Sequence, residues 1–389
     1  SRQRYWGAPI PIVHCPACGA VPVPESDLPV RLPELENFAP AGDGRSPLAH
    51  AAEWVNTPCP ACGGPAQRET DTMDGFACSS WYFLRFANPD YDAGPFDPAA
   101  VRRWLPVDVY VGGAEHAVMH LLYARFWTKV MFDAGLIDFA EPFPHLKNQG
   151  VLHAADGRRM SKSKGNVVTP DEVVARHGAD ALRAYVLFLG PFDGDVVWDD
   201  SGIKGVTRFL DRFWRLAHAP RPAVDAAEDA AFERARHRTI QRITADMVDF
   251  RFNTAVAALM AYLNDLVAWQ AAPIPAAQWR RAVASFTLLL APICPFIAEA
   301  VWQTVLGHAE SVHRQAWPTF DAALAAADEV TMVVQVNGKV RDRIQVPADA
   351  DEATLRETAV ASAAVRSFVN GRVIRRVIVV PGRLVNVVV

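Results

Sequence analysis

The stretch Arg159-Met160-Ser161-Lys162-Ser163-Lys164-Gly165-Asn166 decides how the rest of this chain is interpreted. It combines three cations, Arg159, Lys162 and Lys164, with two hydroxyls and a glycine, and it follows the turn Asp156-Gly157. Lysine carries a compact charge on a flexible stem, and hydroxyls and backbone N–H groups add neutral donors. We call residues 157–166 the lysine loop. A loop of this kind can close over a polyphosphate, and the alternative is a solvated run of charge.

The segments on either side of the lysine loop predict a parallel α/β sheet. Residues 107–111 (Val-Asp-Val-Tyr-Val) have strand character and end at Gly112-Gly113. Apolar residues at helical spacing predict a helix over 115–134, and residues 149–152 form a second strand that leads into the loop. A strand, a helix and a strand in succession favour a parallel sheet, whose ligands bind beyond the carboxyl ends of the strands.

Composition sets limits on the class of protein. With 389 residues the chain is long enough for two or three domains, and 51% hydrophobic against 21% charged residues excludes global disorder. The net charge of −4 argues against a uniformly basic nucleic-acid binder, so any RNA contact must come from local patches. No apolar run reaches the length of a membrane span, so we expect a cytoplasmic protein. Because the chain starts at Ser1 without a methionine, we expect it to be part of something longer.

Four of the six cysteines form two C-x-x-C pairs, each followed by glycine. These are Cys15, Cys18, Cys59 and Cys62. Two thiolates from each of two tight turns is the arrangement that tetrahedral zinc needs, and four thiolates leave no open position, so we predict structural zinc. A disulfide framework is the alternative and fits poorly with a cytoplasmic enzyme. His14 could substitute as a ligand, and Cys78 and Cys294 are predicted to be buried small hydrophobes.

Beyond residue 201 the pattern changes to long helices, which predict a helical bundle. They are expected at 209–216, at 231–270 with a break, and at 278–305, where Pro292 and Pro295 should end or kink a helix. Upstream of the bundle, Asp180 is predicted to cap the helix that runs through residues 181–183.

The last segment predicts a small α+β module. Residues 332–346 form a hairpin around Asn337-Gly338, the residues that a tight primed turn prefers. A helix over 353–368 and two valine-rich strands at 373–380 and 384–389 follow. In the hairpin, period-two alternation sends one set of residues to one face and a second set to the other. The basic set is Lys339, Arg341 and Arg343, and the apolar set is Val340, Ile344 and Val346.

The lysine loop closely resembles the KMSKS loop of class I aminoacyl-tRNA synthetases, with Arg159 in the first lysine position. Residues 1–7 followed by Pro9-Ile10-Pro11 resemble the segment that re-enters the catalytic domain after the editing insertion in the leucine, isoleucine and valine enzymes. Residues 112–123, together with Asp71-Thr72 and the later Ser79-Ser80-Trp81-Tyr82, are similar to the leucine enzymes. The chain therefore resembles the C-terminal part of bacterial-type leucyl-tRNA synthetases along essentially its whole length.

This resemblance implies a multidomain fold: the α/β second half of a Rossmann-type nucleotide-binding fold with a zinc-knuckle insert, an α-helical anticodon-binding-type bundle and a small α+β C-terminal domain. The predicted boundaries are 1–14 for the entry to the catalytic domain, 15–66 for the zinc-binding insert, 67–155 for the Rossmann-type half, 156–200 for the KMSKS loop and stem-contact region, 201–328 for the helical domain, and 329–389 for the C-terminal tRNA-binding domain.

The resemblance also implies the reaction, an ATP-dependent ligation of leucine to its tRNA through leucyl-adenylate. Lys162 would stabilise charge on the leaving pyrophosphate, and Lys162 and His116 are the predicted catalytic residues. Mg²⁺ would accompany ATP, held largely by phosphates and water. The full-length protein is expected to be a monomer. The predicted ATP-binding residues are Lys162, Arg159, Met160, Ser161, Ser163, Gly113 and Glu115.

Five residues are implied to line the leucine pocket: Phe76, Ser79, Tyr82, His116 and His120. A branched aliphatic side chain needs an apolar wall with a few hydroxyls to fix its orientation. Packing residues of a core helix are an equal alternative for the first three. The two histidines could also be ordinary core residues or a metal-binding pair, although no third ligand is evident.

The implied tRNA contacts are Lys339, Arg341 and Arg343 of the hairpin and, on the bundle, Arg208 and Arg212. A basic face on an otherwise acidic protein suits contact with folded RNA, and a solvated surface is the alternative.

The chain departs from the family pattern because it has no His-x-Gly-His element and no editing insertion. We therefore predict that it does not charge tRNA alone. A non-catalytic, synthetase-like tRNA-binding fragment and an isoleucine- or valine-type synthetase remain alternatives.

Overall fold

A computed structural model describes residues 1–39, 42–221, 224–326, 329–347, 350–380 and 383–389. The chain divides into two compact units, Ser1–Val151 and Leu152–Val389. Within the described residues, no helix is both long and apolar enough to cross a membrane.

The described residues of the first unit form six strands and five α-helices. The strands are β1 (Ile12–Cys15), β2 (Gly19–Pro22), β3 (Asn56–Pro58), β4 (Pro65–Arg68), β5 (Val109–Gly113) and β6 (His145–Gln149). The helices are α1 (Ala52–Val55), α2 (Gly75–Ser79), α3 (Tyr82–Phe86), α4 (Pro98–Trp104) and α5 (His120–Asp133).

Four of these strands form a small antiparallel ribbon in the order β2-β1-β4-β3. Each of the two hairpins carries one Cys-x-x-C pair in its turn region, and the central pair β1–β4 brings the hairpins together. The ribbon's core is small, with Val13, Cys15, Cys59 and Ala66 as its buried members. The entry segment joins the region that follows the ribbon through bridges from Arg2 and Pro9 to Thr72.

The parallel sheet predicted from the sequence is confirmed for β5 and β6, which pair in parallel from Val109↔His145 to Gly113↔Gln149. The second strand lies earlier than predicted, at His145–Gln149 instead of 149–152. The helix between them does not begin at residue 115, because Ala114–Val118 is a 3₁₀ turn and Met119 (φ −122°, ψ −107°) interrupts the helical path. Helix α5 therefore begins at His120, and Glu115 and His116 lie outside it.

Helix α5 buries only one side. Ala124 and Met131 belong to a core shared with Phe83, Leu84 and Val101. The apolar residues of the neighbouring side are exposed, at 77% for Val118, 54% for Leu122, 63% for Phe126 and 46% for Val130. Leu122, Phe126 and Val130 are spaced by four residues within α5 and form a continuous stripe, which we call the exposed α5 stripe, and Val118 precedes it in the 3₁₀ turn.

The second unit contains two short parallel strands, a helical bundle and a C-terminal sheet. Its helices are α6 (Pro170–His177), α7 (Ala179–Phe188), α8 (Ile203–His218), α9 (Ala230–Val248), α10 (Phe252–Ala268), α11 (Ala276–Leu290), α12 (Pro295–Thr304), α13 (Ala322–Ala325), α14 (Glu352–Ala361) and α15 (Ala363–Val369). Its strands are β7 (Leu152–His153), β8 (Val196–Val197), β9 (Glu329–Val336), β10 (Lys339–Pro347), β11 (Arg376–Val380) and β12 (Leu384–Val388).

The helical bundle predicted from the sequence is confirmed, with one continuous core from α6 to α12. Phe213 and Phe286 stack at its centre with ring centroids 4.3 Å apart. The predicted break in the long helix lies between α9 and α10, where Phe250 has φ 60°. Pro295 is the first residue of α12, a position where its missing N–H costs nothing.

Asp180 does not cap its own helix as predicted. Helix α7 begins one residue earlier, after Gly178, and the Asp180 carboxylate instead accepts hydrogen bonds from the N–H groups of Phe296 and Ile297, at 3.3 and 2.7 Å. It therefore caps α12, which is distant in sequence and was invisible to a local rule.

The C-terminal sheet has the order β10-β9-β12-β11, with β9 and β12 parallel. The predicted hairpin is confirmed, and Asn337 and Gly338 adopt φ 49° and 77° in its turn. The single predicted helix is two, α14 and α15, separated at Ser362, whose hydroxyl accepts from the Val365 N–H.

The predicted strict alternation along β10 is wrong, because the register shifts between Val340 and Asp342. The bulge leaves Lys339 opposite the buried Val336 and Arg343 opposite Val333, so these two cations do not share a face. Arg341, the extra residue, lies 3.9 Å above the ring of Phe368. Val340, which was predicted to be on the apolar face, is 52% exposed.

Candidate active site

The two Cys-x-x-C turns come together as predicted. The four sulfur atoms of Cys15, Cys18, Cys59 and Cys62 lie within 4.8 Å of one another, and the Sγ atoms of Cys15 and Cys62 are 3.7 Å apart. A tetrahedral zinc with Zn–S bonds of about 2.3 Å would place its sulfurs about 3.8 Å apart. All six cysteines are free, so the disulfide alternative has no support. The donor set fits a structural zinc ion.

Local backbone groups polarise this cluster. The N–H groups of Cys18 and Ala17 point at the Cys15 sulfur and lower its pKa to about 7, which favours the thiolate that a metal binds. Hydrogen bonds with the sulfurs of Cys62 and Cys15 favour the protonated thiol of Cys18 and raise its pKa to about 12, with burial and the charge on Cys15 adding to the effect.

Two sequence predictions about nearby groups are corrected. His14 does not join the sulfur cluster, since its Nε2 lies 2.9 Å from the Glu69 carboxylate. Cys78 was predicted to be buried and is exposed, because α2 is a short helix that turns this side chain away from the core. Cys294 is buried as predicted.

Four polar side chains form a hydrogen-bonded chain between α2, α3, β5 and the start of α5. Ser79 Oγ lies 3.1 Å from His120 Nδ1, His120 Nε2 lies 2.7 Å from the Tyr110 hydroxyl, and that hydroxyl lies 2.6 Å from the Tyr82 hydroxyl. We call this set the Ser79–Tyr82 chain. It brings together three of the five predicted leucine-pocket residues.

The direction of the protons along the Ser79–Tyr82 chain follows from its end. Ser79 Oγ lies 3.3 Å from the Phe76 carbonyl, and with its proton directed to that carbonyl it accepts from His120 Nδ1. His120 then carries its proton on Nδ1, and Nε2 accepts from the Tyr110 hydroxyl. Burial lowers the pKa of His120, with His116 adding to the effect, which keeps the imidazole neutral as this arrangement needs. Burial also raises the pKa of Tyr110, which keeps it a donor.

Aromatic rings lie around this chain and give its surroundings an apolar character. Tyr110 stacks on Phe143 with centroids 3.7 Å apart, and Phe76 stacks on Tyr123 at 6.1 Å. Sequence reasoning missed Tyr110 as a site residue, although it links His120 to Tyr82. The available signal was its place in the strand that ends at Gly112-Gly113.

His116 and His120 lie near each other as predicted, with ring centroids 6.1 Å apart at 85°. His116 Nδ1 is buried without a hydrogen-bond partner, which is unusual for a polar side-chain atom. No metal cluster includes either histidine among the residues described, so the metal-pair alternative has no support. Glu115 is exposed, and a Cβ at Gly113 would clash with its carboxylate, so this glycine leaves room for Glu115.

The lysine loop is an ordered turn at the end of β7. Lys162–Lys164 form one 3₁₀ turn, which Gly165 ends in the left-handed region at φ 64°. The hydroxyls of Ser161 and Ser163 are 2.7 Å apart. Met160 packs against the core of the second unit and anchors the loop, while Lys162 and Lys164 are exposed. The loop therefore presents two ammonium groups to solvent from a fixed base.

The predicted tRNA-binding residues lie on two separate elements. Arg208 and Arg212 are exposed on α8. Lys339 and Arg343 are exposed on β10, and Arg341 is partly covered by Phe368.

Fold and site together define a class I tRNA synthetase. The family model described as "tRNA synthetases class I (I, L, M and V)" matches residues 1–199, and the one described as "Anticodon-binding domain of tRNA ligase" matches residues 229–356. The chain therefore belongs to the class I tRNA synthetase family that comprises the isoleucine, leucine, methionine and valine enzymes.

Within that family the chain is similar to leucine–tRNA ligases over its full length, which confirms the predicted resemblance. It is 52% identical to the leucine–tRNA ligase of Dehalococcoides mccartyi over 100% of this chain and 48% of that protein. It is 53% identical to that of Rubrobacter xylanophilus over 100% of this chain and 47% of that protein. The crystal structure of a ternary complex of LeuRS, tRNA and LeuAMS from Agrobacterium radiobacter matches with a TM-score of 0.80 and 38% identity, over 99% of this chain and 51% of that chain. The chain thus spans about half the length of the curated relatives that it matches.

Proposed function

We propose that this chain is the C-terminal part of an enzyme that joins leucine to its tRNA through leucyl-adenylate, with ATP and Mg²⁺. The observation that carries the proposal is the intact lysine loop, with its exposed ammonium groups, in a chain similar along its whole length to leucine–tRNA ligases. A pure tRNA binder has little need for such a loop.

Each group then has a role. Lys162 stabilises the negative charge that grows on the leaving pyrophosphate, supported by Arg159 and Lys164. Ser161, Ser163 and the loop backbone add neutral donors to the phosphates, and Met160 holds the loop in place. Glu115, beside Gly113, accepts hydrogen bonds from the ribose hydroxyls.

The Ser79–Tyr82 chain, with Phe76, supplies the leucine pocket. A neutral His120, fixed by two hydroxyls, offers no charge to an aliphatic side chain, and the stacked rings give it an apolar surface. His116, whose ring lies beside that of His120, is proposed to bind the adenylate.

Three further assignments complete the proposal. Zinc at the four cysteines holds the ribbon together, and tRNA contacts Arg208 and Arg212 on the bundle and Lys339, Arg341 and Arg343 on the hairpin. The parent enzyme is a cytoplasmic monomer. The domain boundaries predicted from the sequence are retained in this proposal.

We also propose that the chain is inactive alone. The exposed α5 stripe and the preceding Val118 leave four apolar side chains in water, an arrangement typical of a surface that further polypeptide covers. We propose that the part of the parent enzyme outside this chain, which carries the missing His-x-Gly-His element, packs there.

The test is leucine-dependent exchange of pyrophosphate into ATP. The full-length parent should show exchange with leucine and much less with isoleucine or valine, whereas the 389-residue chain should show none. Lys162→Ala in the parent should slow exchange by about 100-fold or more while tRNA affinity is unchanged, and Lys204→Ala on the exposed side of α8 is the control. Undiminished exchange by Lys162→Ala would contradict the catalytic role. Exchange by the chain alone would contradict the proposed incompleteness.

A further inference from the structure

Asn166, the last residue of the lysine loop, bridges the loop's two halves. Its side-chain Oδ1 accepts a hydrogen bond from the Ser161 N–H at 2.9 Å, and its Nδ2 donates to the Arg159 carbonyl at 3.4 Å. One planar carboxamide therefore satisfies a donor and an acceptor of the backbone on the opposite side of the loop.

The residues enclosed by this bridge are those that carry the charge. Lys162–Lys164 form the 3₁₀ turn, and Gly165 reverses the chain so that Asn166 faces Ser161. The N-terminal part of the loop is held by other contacts, a β-bridge between His153 and Arg159 and a hydrogen bond from the Ala154 N–H to the Arg158 carbonyl. Asn166 is thus the side chain that closes the end nearer the lysines.

A carboxylate lies next to the same amide. Asp156 accepts from the Arg158 N–H and side chain, and these contacts, with a smaller contribution from Asn166, lower the pKa of Asp156. A donor at position 166 is therefore favourable, and an acceptor in its place would face both a carbonyl and a carboxylate.

We propose that Asn166 is a positioning residue, which holds the lysine loop in the turn that presents Lys162 and Lys164 to the triphosphate and does not itself contact the nucleotide. The proposal rests on the proposed function of the loop. An unclamped loop would have to be ordered when ATP binds, at the expense of transition-state stabilisation. Asparagine suits the task because a single group of its length supplies both a donor and an acceptor.

The first experiment does not depend on activity and uses this chain. Backbone amide exchange at Ser161 reports directly on the bond to Asn166 Oδ1. Asn166→Ala should speed exchange at Ser161 by about five-fold or more, whereas Val167→Ala, a change at the exposed next residue, should not. If the Ser161 N–H is equally protected in Asn166→Ala, the proposal that Asn166 holds the lysine loop is overturned.

The second experiment uses the full-length parent and pyrophosphate exchange. Asn166→Ala should lower kcat by about ten-fold with an unchanged KM for leucine, because two hydrogen bonds that order the loop are lost. A kcat within two-fold of wild type would overturn the proposal. A KM for leucine raised by the same factor would also overturn it, because it would indicate general damage to the fold.

The pH profile separates positioning from a merely structural role. Asn166→Asp keeps the acceptor for Ser161 but loses the donor, and the introduced carboxyl regains a donor when it is protonated. The activity of Asn166→Asp relative to wild type should therefore rise as pH falls, whereas the ratio for Asn166→Ala should stay flat. Parallel flat ratios would contradict the bridging geometry.

The outcomes also separate this proposal from the proposed function. An inactive wild-type parent would overturn the proposed function, and with it the catalytic purpose of the clamp, whatever the exchange at Ser161. An active parent with an indifferent Asn166→Ala would overturn the clamp alone.

Discussion

Helix α8 of the second unit and helix α5 of the first unit carry similar apolar patterns, but the apolar residues are buried on α8 and partly exposed on α5. On α8, Phe209, Phe213 and Leu216 are each less than 5% exposed, inside a core that runs through the whole bundle. On α5, Leu122 and Phe126 are more than half exposed. A periodic pattern identifies the apolar face of a helix, but it does not show whether that face is covered within the same chain.

The difference indicates that the two units gain stability from different sources. The bundle is stabilised by its own packing. The described residues of the first unit form two small cores, so we expect this unit to depend more on its cysteine cluster and on the Ser79–Tyr82 chain. Four predictions test this contrast, from the largest expected effect to the smallest.

Removal of metal should affect the first unit alone. Structural zinc contributes about 10 kcal/mol to the folding of small zinc-dependent peptides, so chelation or Cys59→Ser should abolish amide protection in β1 and β4. Protection in α8 and α11 should not change. Elemental analysis should find one zinc per chain in the wild type. A ribbon that stays protected after complete chelation would show that its apolar core suffices.

A matched pair of phenylalanines tests the covering of the two helices. Phe286→Ala should destabilise the bundle by about 3–5 kcal/mol, because the ring is fully buried against Phe213. Phe126→Ala on α5 should change the stability of this chain by less than about 0.5 kcal/mol, since its ring is 63% exposed. Denaturant unfolding, monitored through backbone amide exchange, measures the change in the free energy of unfolding for both variants. Comparable losses would mean that the α5 stripe is covered in solution.

The Ser79–Tyr82 chain should contribute a smaller amount. Tyr110→Phe leaves His120 Nε2 without its donor, which should destabilise the first unit by about 1–3 kcal/mol. Tyr123→Phe, at an exposed ring that stacks on Phe76, is the control and should be near neutral. Equal effects of the two would remove the energetic case for the chain.

The pH dependence should be the mildest effect. Burial holds the pKa of His120 below its ordinary value of 6.5, so the unfolded chain takes up the proton more readily than the folded one. The stability of the first unit should be full above pH 6.5 and fall as pH drops below it. His120→Gln should flatten this dependence in amide-exchange measurements on α5. A variant that keeps the wild-type profile would assign the titration to another group.

Most features that depend on residues close together in the sequence were predicted correctly, and several features that depend on distant residues were not. The Cys-x-x-C turns and the Asn337-Gly338 hairpin were predicted correctly, because short spacings and left-handed turn positions leave few alternatives. Asp180 was assigned to the wrong helix. An aspartate in the sequence offers an acceptor for the N–H groups at a helix N-terminus, but the sequence does not show which helix provides those N–H groups. The shared face predicted for Lys339 and Arg343 was wrong, because a bulge adds one residue that no alternation predicts.

The same limit applied to the site. Ser79, Tyr82 and His120 were expected together only through family resemblance, and Tyr110, which joins them, was missed. Its hydroxyl meets His120 because β5 and the start of α5 fold against α2 and α3, a contact that depends on several elements at once.

The sequence by itself determined the class of protein, the order of its α/β, helical and α+β regions, the cysteine pairs and the lysine loop, because these depend on contiguous residues and short spacings. Only the tertiary structure decided which apolar faces are covered, which helix end Asp180 serves and how Tyr110 and Asn166 connect their neighbours. Those features depend on groups that are distant in sequence or separated by an irregular backbone. Such groups interact only when folding has brought them within hydrogen-bond or van der Waals distance.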